Sequence, residues 1–492
     1  MAIVISDVPS TTLRALGAVQ LDRTGTSPVT AADRAVAFGQ KTSGGSATAL
    51  TLYAVPSVAA ARALFGQGSH LALICEAWLA NAPGIPLYAV PMADNGTTKS
   101  VRTITVTGTA TSAGTLSLQH AGIPIDVGVD VGDDATAIAT SITAAIADMP
   151  WLPSSASSSA EVVTLTARNA GTNGNQCGLR VNYAPGQRYP GGVSVAFAQT
   201  TSGATDPTTS TQTDALAAIA SEDFRYLVWP YTADGSLDVL EAELVDRWSA
   251  TRGLTTLAFN CLDDTVSNLT TASADRNSPH LSMLGVYSSP TPSWQLAAAY
   301  AGACAKSLTT HPAVPLAEIA LRGVQAPANA ARFTATEANT LGLDGIASTY
   351  VDAFGQVRIN LAVTCYKTDG NGSADSTLRW LNSVAQVAYL VRDIKATVRS
   401  YCSGKILVDD ASLVSPGTPA LDTGMIKRRL VARYADHQAN AVVENLAAFA
   451  EALVVERNVS DPNRVDVLYP PDLANQLNVL AVLVRPYLEL PE

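Results

Sequence analysis

The residues that most often carry catalysis are few in this sequence and lie in no recognised motif. Histidine, the commonest general base, occurs five times, at positions 70, 120, 280, 311 and 437. No G-x-S-x-G pentapeptide is present, so the nucleophile elbow of α/β-hydrolases is missing. Gly66-Gln-Gly68 lacks the third glycine of a dinucleotide-binding loop, and no G-x-x-x-x-G-K-[ST] phosphate loop occurs. We therefore predict that the chain is not an enzyme, although a triad assembled from distant residues would escape this search.

Metal and redox chemistry are equally poorly supported. The segment DGNGSAD (369–375) offers oxygen ligands in the order of a calcium loop, but Ala374 replaces the required glycine and Trp380 the bidentate glutamate. A flexible interdomain loop explains this segment better. The six cysteines, at 75, 177, 261, 304, 365 and 402, are scattered without a C-x-x-C pair, which is typical of buried thiols in a reducing compartment. We predict no metal, cofactor or disulfide.

Composition excludes several classes of protein. Of 492 residues, 47% are hydrophobic and 15% charged, which excludes an intrinsically disordered chain. The 31 Lys and Arg stand against 42 Asp and Glu, and the net charge of −11 argues against a nucleic-acid partner. The N-terminus lacks the basic segment of a signal peptide, and no apolar run approaches the ~18 residues of a membrane helix. We expect a soluble protein, made in the cytoplasm, that does not insert into a membrane.

The densest basic cluster lies on a helix predicted over 423–438, with Thr423 as its cap. Its members are Lys427, Arg428, Arg429 and Arg433. Such a cluster is typical either of a solvated helix face or of a surface that docks onto an acidic protein, and docking of this kind weakens with salt. A rival basic face on the preceding predicted helix consists of Arg392, Lys395 and Arg399.

Both ends of the chain carry a short apolar segment without a local partner strand. The residues concerned are Ile3, Val4, Ile5 and Val8 at one end, and Leu480, Val482 and Val484 at the other. An isolated strand must join a sheet, either in its own chain or in a neighbouring subunit. Between subunits, backbone hydrogen bonds of ~0.5–1.5 kcal/mol net each would accumulate over a repeated contact.

The chain that positions these residues divides by composition. Residues 97–205 hold only five basic and six acidic residues, and they alternate with period two around one helix predicted over 135–148, which indicates an inserted, mostly β module. Around the module, strands and helices alternate, which favours a largely parallel, helix-covered sheet. The helices predicted there are 58–64, 70–80, 236–250 and 293–308. The strands predicted there are 86–91, 224–231, 254–260 and 281–287, with a hairpin over 352–366 that turns at Gly355.

Residues 371–492 are richer in charge, with twelve basic and fourteen acidic residues. A long helix is predicted over 376–402 because its apolar residues follow a 4-3-4-3 spacing, and strands are predicted over 453–457 and 465–468. The fold class is therefore a multi-domain α+β and α/β protein: an α/β core domain, an inserted mostly β domain and a C-terminal α+β domain with terminal arms. The predicted boundaries are 1–20 for the N-terminal arm, 21–96 and 206–370 for the core domain, 97–205 for the insertion, 371–477 for the C-terminal domain and 478–492 for the C-terminal arm.

Several longer segments resemble the contractile tail sheath proteins of Mu-like bacteriophages, and the resemblance runs over nearly the whole chain. The most specific segment is DPNRVDVLYPPDLANQ (461–476), preceded by VVERN (454–458). The other matching segments are the Ile-x-x-x-x-Val-Pro pattern at 3–9, RNSPH (276–280), SPTPSW (289–294) and LDGIA (343–347). Within the insertion the matching segments are TITVTG (103–108), AGTL (113–116), TLTAR (164–168) and GTNGN (171–175).

This resemblance implies a structural subunit that polymerises as helically stacked hexameric rings around a tail tube and contracts to drive the tube through the host envelope. The terminal arms would add strands to the C-terminal-domain sheets of neighbouring subunits, the four cations of the basic helix would face the tube, and the insertion would face outward. The implied partners are further copies of the chain, the tail tube protein, and the baseplate and tail terminator proteins. The implied location is the virion tail, assembled in the host cytoplasm. Residues 435–440 depart from the family pattern, so the tube-facing register stays open between the two basic faces.

Three other interpretations fit parts of the sequence. A sheath from a phage-derived device, such as a tailocin or a secretion system, would share every feature above. An α/β enzyme with a carbohydrate-binding β insertion would need a histidine beside a carboxylate in a deep pocket, and a surface adhesin would need an export signal.

Overall fold

The computed structural model describes residues 33–484, apart from residues 95, 416 and 479, together with Pro486. The chain first builds one side of the core domain's sheet. Its elements there are β1 (Ala35–Gln40), β2 (Tyr53–Ala54), α1 (Val58–Phe65), α2 (His70–Asn81) and β3 (Leu87–Met92). The hydroxyls of Ser57 and Ser69 accept backbone N–H bonds from Ala60 and Ala72, and thereby cap the two helices.

The insertion follows β3 and is mostly β, as its alternation predicts. Its elements are β4 (Lys99–Thr107), β5 (Gly114–His120), β6 (Ile123–Val129), α3 (Ala135–Ala147), β7 (Ser154–Ser159), β8 (Val162–Ala170), a 3-10 turn (Thr172–Gln176), β9 (Leu179–Val181) and β10 (Ser194–Thr201). The strands form a four-stranded sheet, β10-β4-β8-β7, and a three-stranded sheet, β6-β5-β9. Ile138, Ile142 and Ile146 of α3 are buried between them, so this module has a core of its own.

The chain then returns to complete the core sheet. The elements are α4 (Thr209–Ala217), β11 (Tyr226–Val228), α5 (Asp234–Arg247), β12 (Leu257–Asp263), α6 (Val266–Ala274), β13 (Leu281–Val286), α7 (Ser293–Thr310), α8 (Ala335–Leu343), β14 (Ile346–Val351) and β15 (Val357–Leu361). The strand order is β15-β14-β13-β12-β11-β1-β3-β2. The six inner strands are parallel and the two edge strands antiparallel, which confirms the largely parallel sheet. The order reverses between β1 and β11, which makes this the topological switch point.

Helices cover both faces of the core sheet. On one face α2 and α7 pack around Trp78 and Tyr300, and on the other face α4, α5, α6 and α8 pack around Trp229. The Ala-rich α7 lies close to α2. A Cβ atom added at Gly302 of α7 would lie 3.0 Å from the Cβ of Asn81 of α2. The hairpin predicted over 352–366 is displaced. Its turn, with Gly355 at φ +81°, is where the sequence predicts it, but the two strands are β14 and β15, so the first strand precedes residue 352.

The C-terminal domain has a separate core. Its elements are α9 (Leu381–Cys402), β16 (Ile406–Leu407), β17 (Ala420–Leu421), α10 (Thr423–Ala439), α11 (Leu446–Ala452), β18 (Val454–Arg457) and β19 (Val465–Leu468). Tyr434 stacks on Phe449 with 3.7 Å between ring centroids. Asp422, rather than the predicted Thr423, caps α10 by accepting the N–H of Met425. In the described ranges no helix is both long and apolar enough to cross a membrane.

Candidate assembly surface

The hairpin of the C-terminal domain has open edges. β18 and β19 pair antiparallel over four residues, from Val454 opposite Leu468 to Arg457 opposite Val465. Neither strand pairs with a third strand in the part of the chain that the structure describes. Leu468, the last residue of β19, is 63% exposed. Unpaired N–H and C=O groups along such an edge form a template for a strand from another chain.

A groove beside this hairpin supplies an apolar floor. It has a volume of about 270 Å³ and lies between the last turn of α9, the β16–β17 pair, the start of α10 and β19. We call it the hairpin groove, and define it by Val398, Cys402, Ile406, Leu421, Ile426 and Val467. Apolar pockets beside free backbone groups are the combination that binds an extended apolar segment.

The C-terminal segment leaves the domain next to α9 and α10. Leu473 forms a β-bridge with Val443, and the carbonyl of Ala474 accepts the Nε2–H of the buried Gln386 at 3.0 Å. Beyond this anchor the described residues up to Val484 lie outside any strand. Its apolar side chains are more than seven-tenths exposed: Leu480, Val482, Leu483 and Val484. The predicted C-terminal strand is thus not part of this chain's own sheets, and its pairing with a neighbour stays a prediction.

The N-terminal strand-exchange residues, Ile3, Val4, Ile5 and Val8, lie outside the described residues. The described chain begins at Asp33, whose carboxylate accepts hydrogen bonds from Arg225 at 3.3 Å, Arg392 at 2.7 Å and Thr309 at 2.9 Å. Burial alone would raise the pKa of Asp33, but the two guanidinium groups outweigh it and lower this pKa. Residue 33 is thereby fixed to the core domain and to α9 at once.

The first three cations of α10 lie on its outer side. The helix buries Ile426 and Leu430, while Arg428 and Arg429 are exposed and Lys427 is half-buried. The guanidinium of Arg429 lies over the ring of Tyr401, 5.8 Å from its centroid. These three side chains form a positively charged surface next to the hairpin groove, and we call them the α10 cations.

Arg433 differs from these three cations because its guanidinium is paired with carboxylates of the same chain. It makes two hydrogen bonds to the carboxylate of Asp393 on α9, at 2.6 and 2.8 Å. The Nε2 of His437 lies 2.9 Å from the same carboxylate, which is 2% exposed. Burial opposes ionisation, but the hydrogen bonds from Arg433 and His437 hold the pKa of Asp393 well below its usual range. Arg433 therefore joins α10 to α9.

The rival basic face on α9 is also reduced by internal pairing. Arg392 binds Asp33 and Asp223, the latter at 3.0 Å. The Nζ of Lys395 donates to the carbonyl of Gly253 at 3.4 Å, although Lys395 is an exposed residue. Arg399 is exposed. Lys395 and Arg399 are what remains of this face.

The calcium-like loop and His120 were two candidates for chemistry in the sequence. The Nε2 of His120 lies 2.9 Å from Ser154 Oγ, but no carboxylate pairs with His120 there, and burial lowers its pKa to about 4. Asp369 accepts the N–H groups of Asn371 and Ser373, as in an ordinary turn. No group of three or more His, Cys, Asp or Glu in the described ranges is placed to hold a metal ion.

Known proteins resemble this chain in sequence and in fold. The family described as phage tail sheath protein central domain matches residues 205–365. The Mu-like prophage FluMu tail sheath protein of Haemophilus influenzae is 30% identical over 489 residues, which cover 99% of each chain. Two solved structures share the fold at a TM-score of 0.51. The sheath tail protein of Desulfitobacterium hafniense is 12% identical and aligns over 94% of this chain and 97% of its own. The sheath of an extracellular contractile injection system, in its contracted state, is 10% identical and aligns over 98% and 99%.

Proposed function

Because the chain belongs to the family of Mu-like phage tail sheath proteins, we propose that it is the structural subunit of a contractile tail sheath. Its copies stack in hexameric rings, helically, around the tail tube, and contraction drives the tube through the host envelope. The observation that supports this proposal is that one chain carries two unlike surfaces that would fit each other as halves of a repeated contact. These halves are open hairpin edges over an apolar groove and an exposed apolar C-terminal segment. A contact between unlike surfaces does not close on itself and therefore builds a helical polymer.

Strand addition by the arms is the first element of the proposed mechanism. The N-terminal Ile3, Val4, Ile5 and Val8, and the C-terminal Leu480, Val482 and Val484, pair with the β18 and β19 edges of neighbouring subunits. A four-residue edge offers two to four backbone hydrogen bonds, about 1–6 kcal/mol in all. That contact repeats at every subunit, so links that are modest one by one hold the polymer together while the folded domains move as rigid bodies.

The tube-facing surface is the second element. The α10 cations would meet an acidic surface of the tube protein, and Arg433 would hold α10 in place from behind. Association of this type is screened over ~8 Å at physiological ionic strength, so it weakens as salt rises. The inserted domain faces outward in this arrangement. The baseplate protein and the tail terminator protein lie at the two ends of the polymer. No catalytic step is part of the proposal.

The test of strand addition is assembly of truncated and point variants, followed by negative-stain electron microscopy and sizing. Removal of residues 1–20 or of 478–492 should leave a folded monomer that forms no tubes. Val482→Pro removes one backbone donor and should reduce assembly, whereas Val482→Ala keeps the donor and serves as the matched control. Normal tubes from either truncation would refute the strand-exchange role of that arm.

The test of the tube-facing surface is charge reversal on each basic face. Lys427→Glu with Arg428→Glu should weaken co-sedimentation with the tube protein and remove most of its salt dependence. Lys395→Glu with Arg399→Glu is the matched control on α9 and should leave it unchanged. If only the α9 variant loses tube binding, the tube-facing role belongs to α9.

A sheath from a phage-derived injection device is the second candidate function. The alignment over 98% of this chain with the sheath of an extracellular contractile injection system favours it as a related form of the same fold. The proposed subunit contacts are the same in both cases. For the first candidate, the phage sheath, the location we propose is a virion tail assembled in the host cytoplasm.

A further inference from the structure

The inserted domain fills the place where a sheet of this topology usually holds a ligand. In open α/β sheets, that place is the crevice at the carboxyl ends of the strands beside the switch point. Here Gln40 ends β1, and its Nε2 donates to the carbonyl of Ala170 in the insertion at 3.0 Å. Asn169 accepts the backbone N–H of His70 at 2.9 Å and donates to the carbonyl of Lys41 at 3.1 Å. The end of β8 therefore lies in the crevice.

The 3-10 turn of the insertion closes the same region from the side of α7. Gln176 Oε1 accepts hydrogen bonds from the backbone N–H of Ser293, at 3.0 Å, and from its hydroxyl, at 2.7 Å. Trp294 Nε1 donates to the backbone carbonyl of Asn173 at 3.2 Å. The first residues of α7 are thus bonded to the insertion rather than to a ligand.

What remains of the crevice is a cavity of about 20 Å³, lined by residues of both domains. Gln40, His70 and Trp294 come from the core domain, and Asn173 and Cys177 from the insertion. A water molecule needs roughly 10–15 Å³ of this kind of volume and two to four polar partners. The cavity is therefore large enough for one water and too small for an organic ligand.

Three lining residues each carry a polar atom that has no hydrogen-bond partner among the described residues: Gln40 Oε1, His70 Nε2 and Asn173 Nδ2. All three residues are more than nine-tenths buried. The amide of Gln40 is oriented by Asp94, which accepts its Nε2–H at 3.1 Å, so its oxygen is the free atom. A buried polar atom left unpaired costs about 1–3 kcal/mol, and three in one cavity require a common explanation.

The tautomer of His70 fixes the donor and acceptor pattern. Its Nδ1 accepts the backbone N–H of Gln40 at 3.5 Å, and burial lowers the pKa of His70 to about 3, so the ring is neutral with its proton on Nε2. The residues Gln40, His70 and Asn173 all line the cavity, and their unpaired atoms comprise two donors, from His70 and Asn173, and one acceptor, from Gln40. A water molecule has two lone pairs and two protons, which matches this set.

We propose that one ordered water bridges the core domain and the insertion at this point. It accepts from His70 Nε2–H and Asn173 Nδ2–H, and it donates to Gln40 Oε1. The bridge makes this crevice a structural joint, so that the insertion and the core sheet behave as one body.

The deciding experiment is a structure of the full-length chain, as crystals or as assembled tubes, at 2 Å resolution or better. The expected result is a single water within 2.7–3.2 Å of all three atoms. An empty cavity, or side chains rotated to bond one another, would overturn the proposal.

The direction in which a substitution shifts the melting temperature is an independent test. Asn173→Leu replaces the amide by an apolar group of similar size. If water bridges the domains, the variant loses a donor to that water and its melting temperature falls. If the cavity is dry, the variant removes an unsatisfied polar group and its melting temperature rises, which would contradict the proposal. A variant that fails to fold would leave the decision to the structure.

Discussion

The buried carboxylate of Asp393 is the point where a single atom change should most weaken the C-terminal domain. Asp393→Asn keeps the volume and removes the charge that Arg433 and His437 contact. Breaking a buried ion pair costs about 3–5 kcal/mol, because the remaining charge is uncompensated. Here Arg433 is 19% exposed and retains Asp436 at 3.1 Å, so we expect about 2–3 kcal/mol.

Hydrogen exchange of the α9 and α10 amides measures this cost. Since each 1.4 kcal/mol corresponds to tenfold, these amides should exchange about 30- to 150-fold faster in Asp393→Asn, with little change in the core domain. Asp436→Asn is the control. Its carboxylate is 61% exposed, and an exposed pair contributes less than about 1 kcal/mol. Equal effects of the two variants would refute the assignment of Asp393 as the link between the helices.

Acid provides a second check on the same residue. The pKa of Asp393 is lowered in the folded state, so its contribution to stability is present above the ordinary carboxyl pKa of about 4 and is lost as pH falls below it. The asparagine variant should lack this part of the acid sensitivity. Wild-type and variant unfolding curves that keep a constant separation from pH 7 to pH 3 would contradict the argument.

Three further predictions concern the core domain. Burial raises the pKa of Asp263 to about 6 despite a hydrogen bond from Ser289, so folding stability should fall by up to about 2 kcal/mol as pH rises from 4 to 6, and Asp263→Asn should flatten that slope in thermal melts. Thr334→Ala breaks the capping box with Glu337 and should cost about 1 kcal/mol, while Thr336→Ala in the same helix serves as control in urea unfolding. Arg392→Ala should loosen the docking of α9 on the core domain by about 2 kcal/mol, seen as faster proteolysis between 367 and 380; unchanged cleavage would refute it.

Helices with an apolar repeat were predictable from the sequence, whereas the buried strand β1 was not, although the equally buried β13 was predicted over 281–287. The helices α1, α2, α3, α7 and α10 lie within a few residues of their predicted bounds, because each shows an apolar repeat and most have a capping residue. β1, with the sequence AVAFGQ, is buried on both faces, so it has no alternation to detect. This inner strand of the core sheet, beside the switch point, was therefore not predicted. α9 begins later than predicted because Trp380 is extended and bridges Val363.

The candidate site divides in the same way. The exposed cations and the apolar chain ends are local features, and their residue types can be seen in the sequence. The pairing of Arg433 with Asp393 joins positions 40 residues apart on two helices, and nothing in the local pattern separates Arg433 from Arg429. The open edges of the β18–β19 hairpin depend on which strands are missing beside it, which is a property of the whole fold.

The thiols of this chain have a practical consequence. Five of the six cysteines are buried, and Cys402 alone is half-buried, at the edge of the hairpin groove. Burial raises the pKa of the other five thiols far more than that of Cys402, so a maleimide dye at mildly alkaline pH should label one site. A strand that occupies the groove would shield that site. The labelling rate of Cys402 should therefore fall as subunits polymerise and a strand fills the hairpin groove. This measurement needs no engineered cysteine.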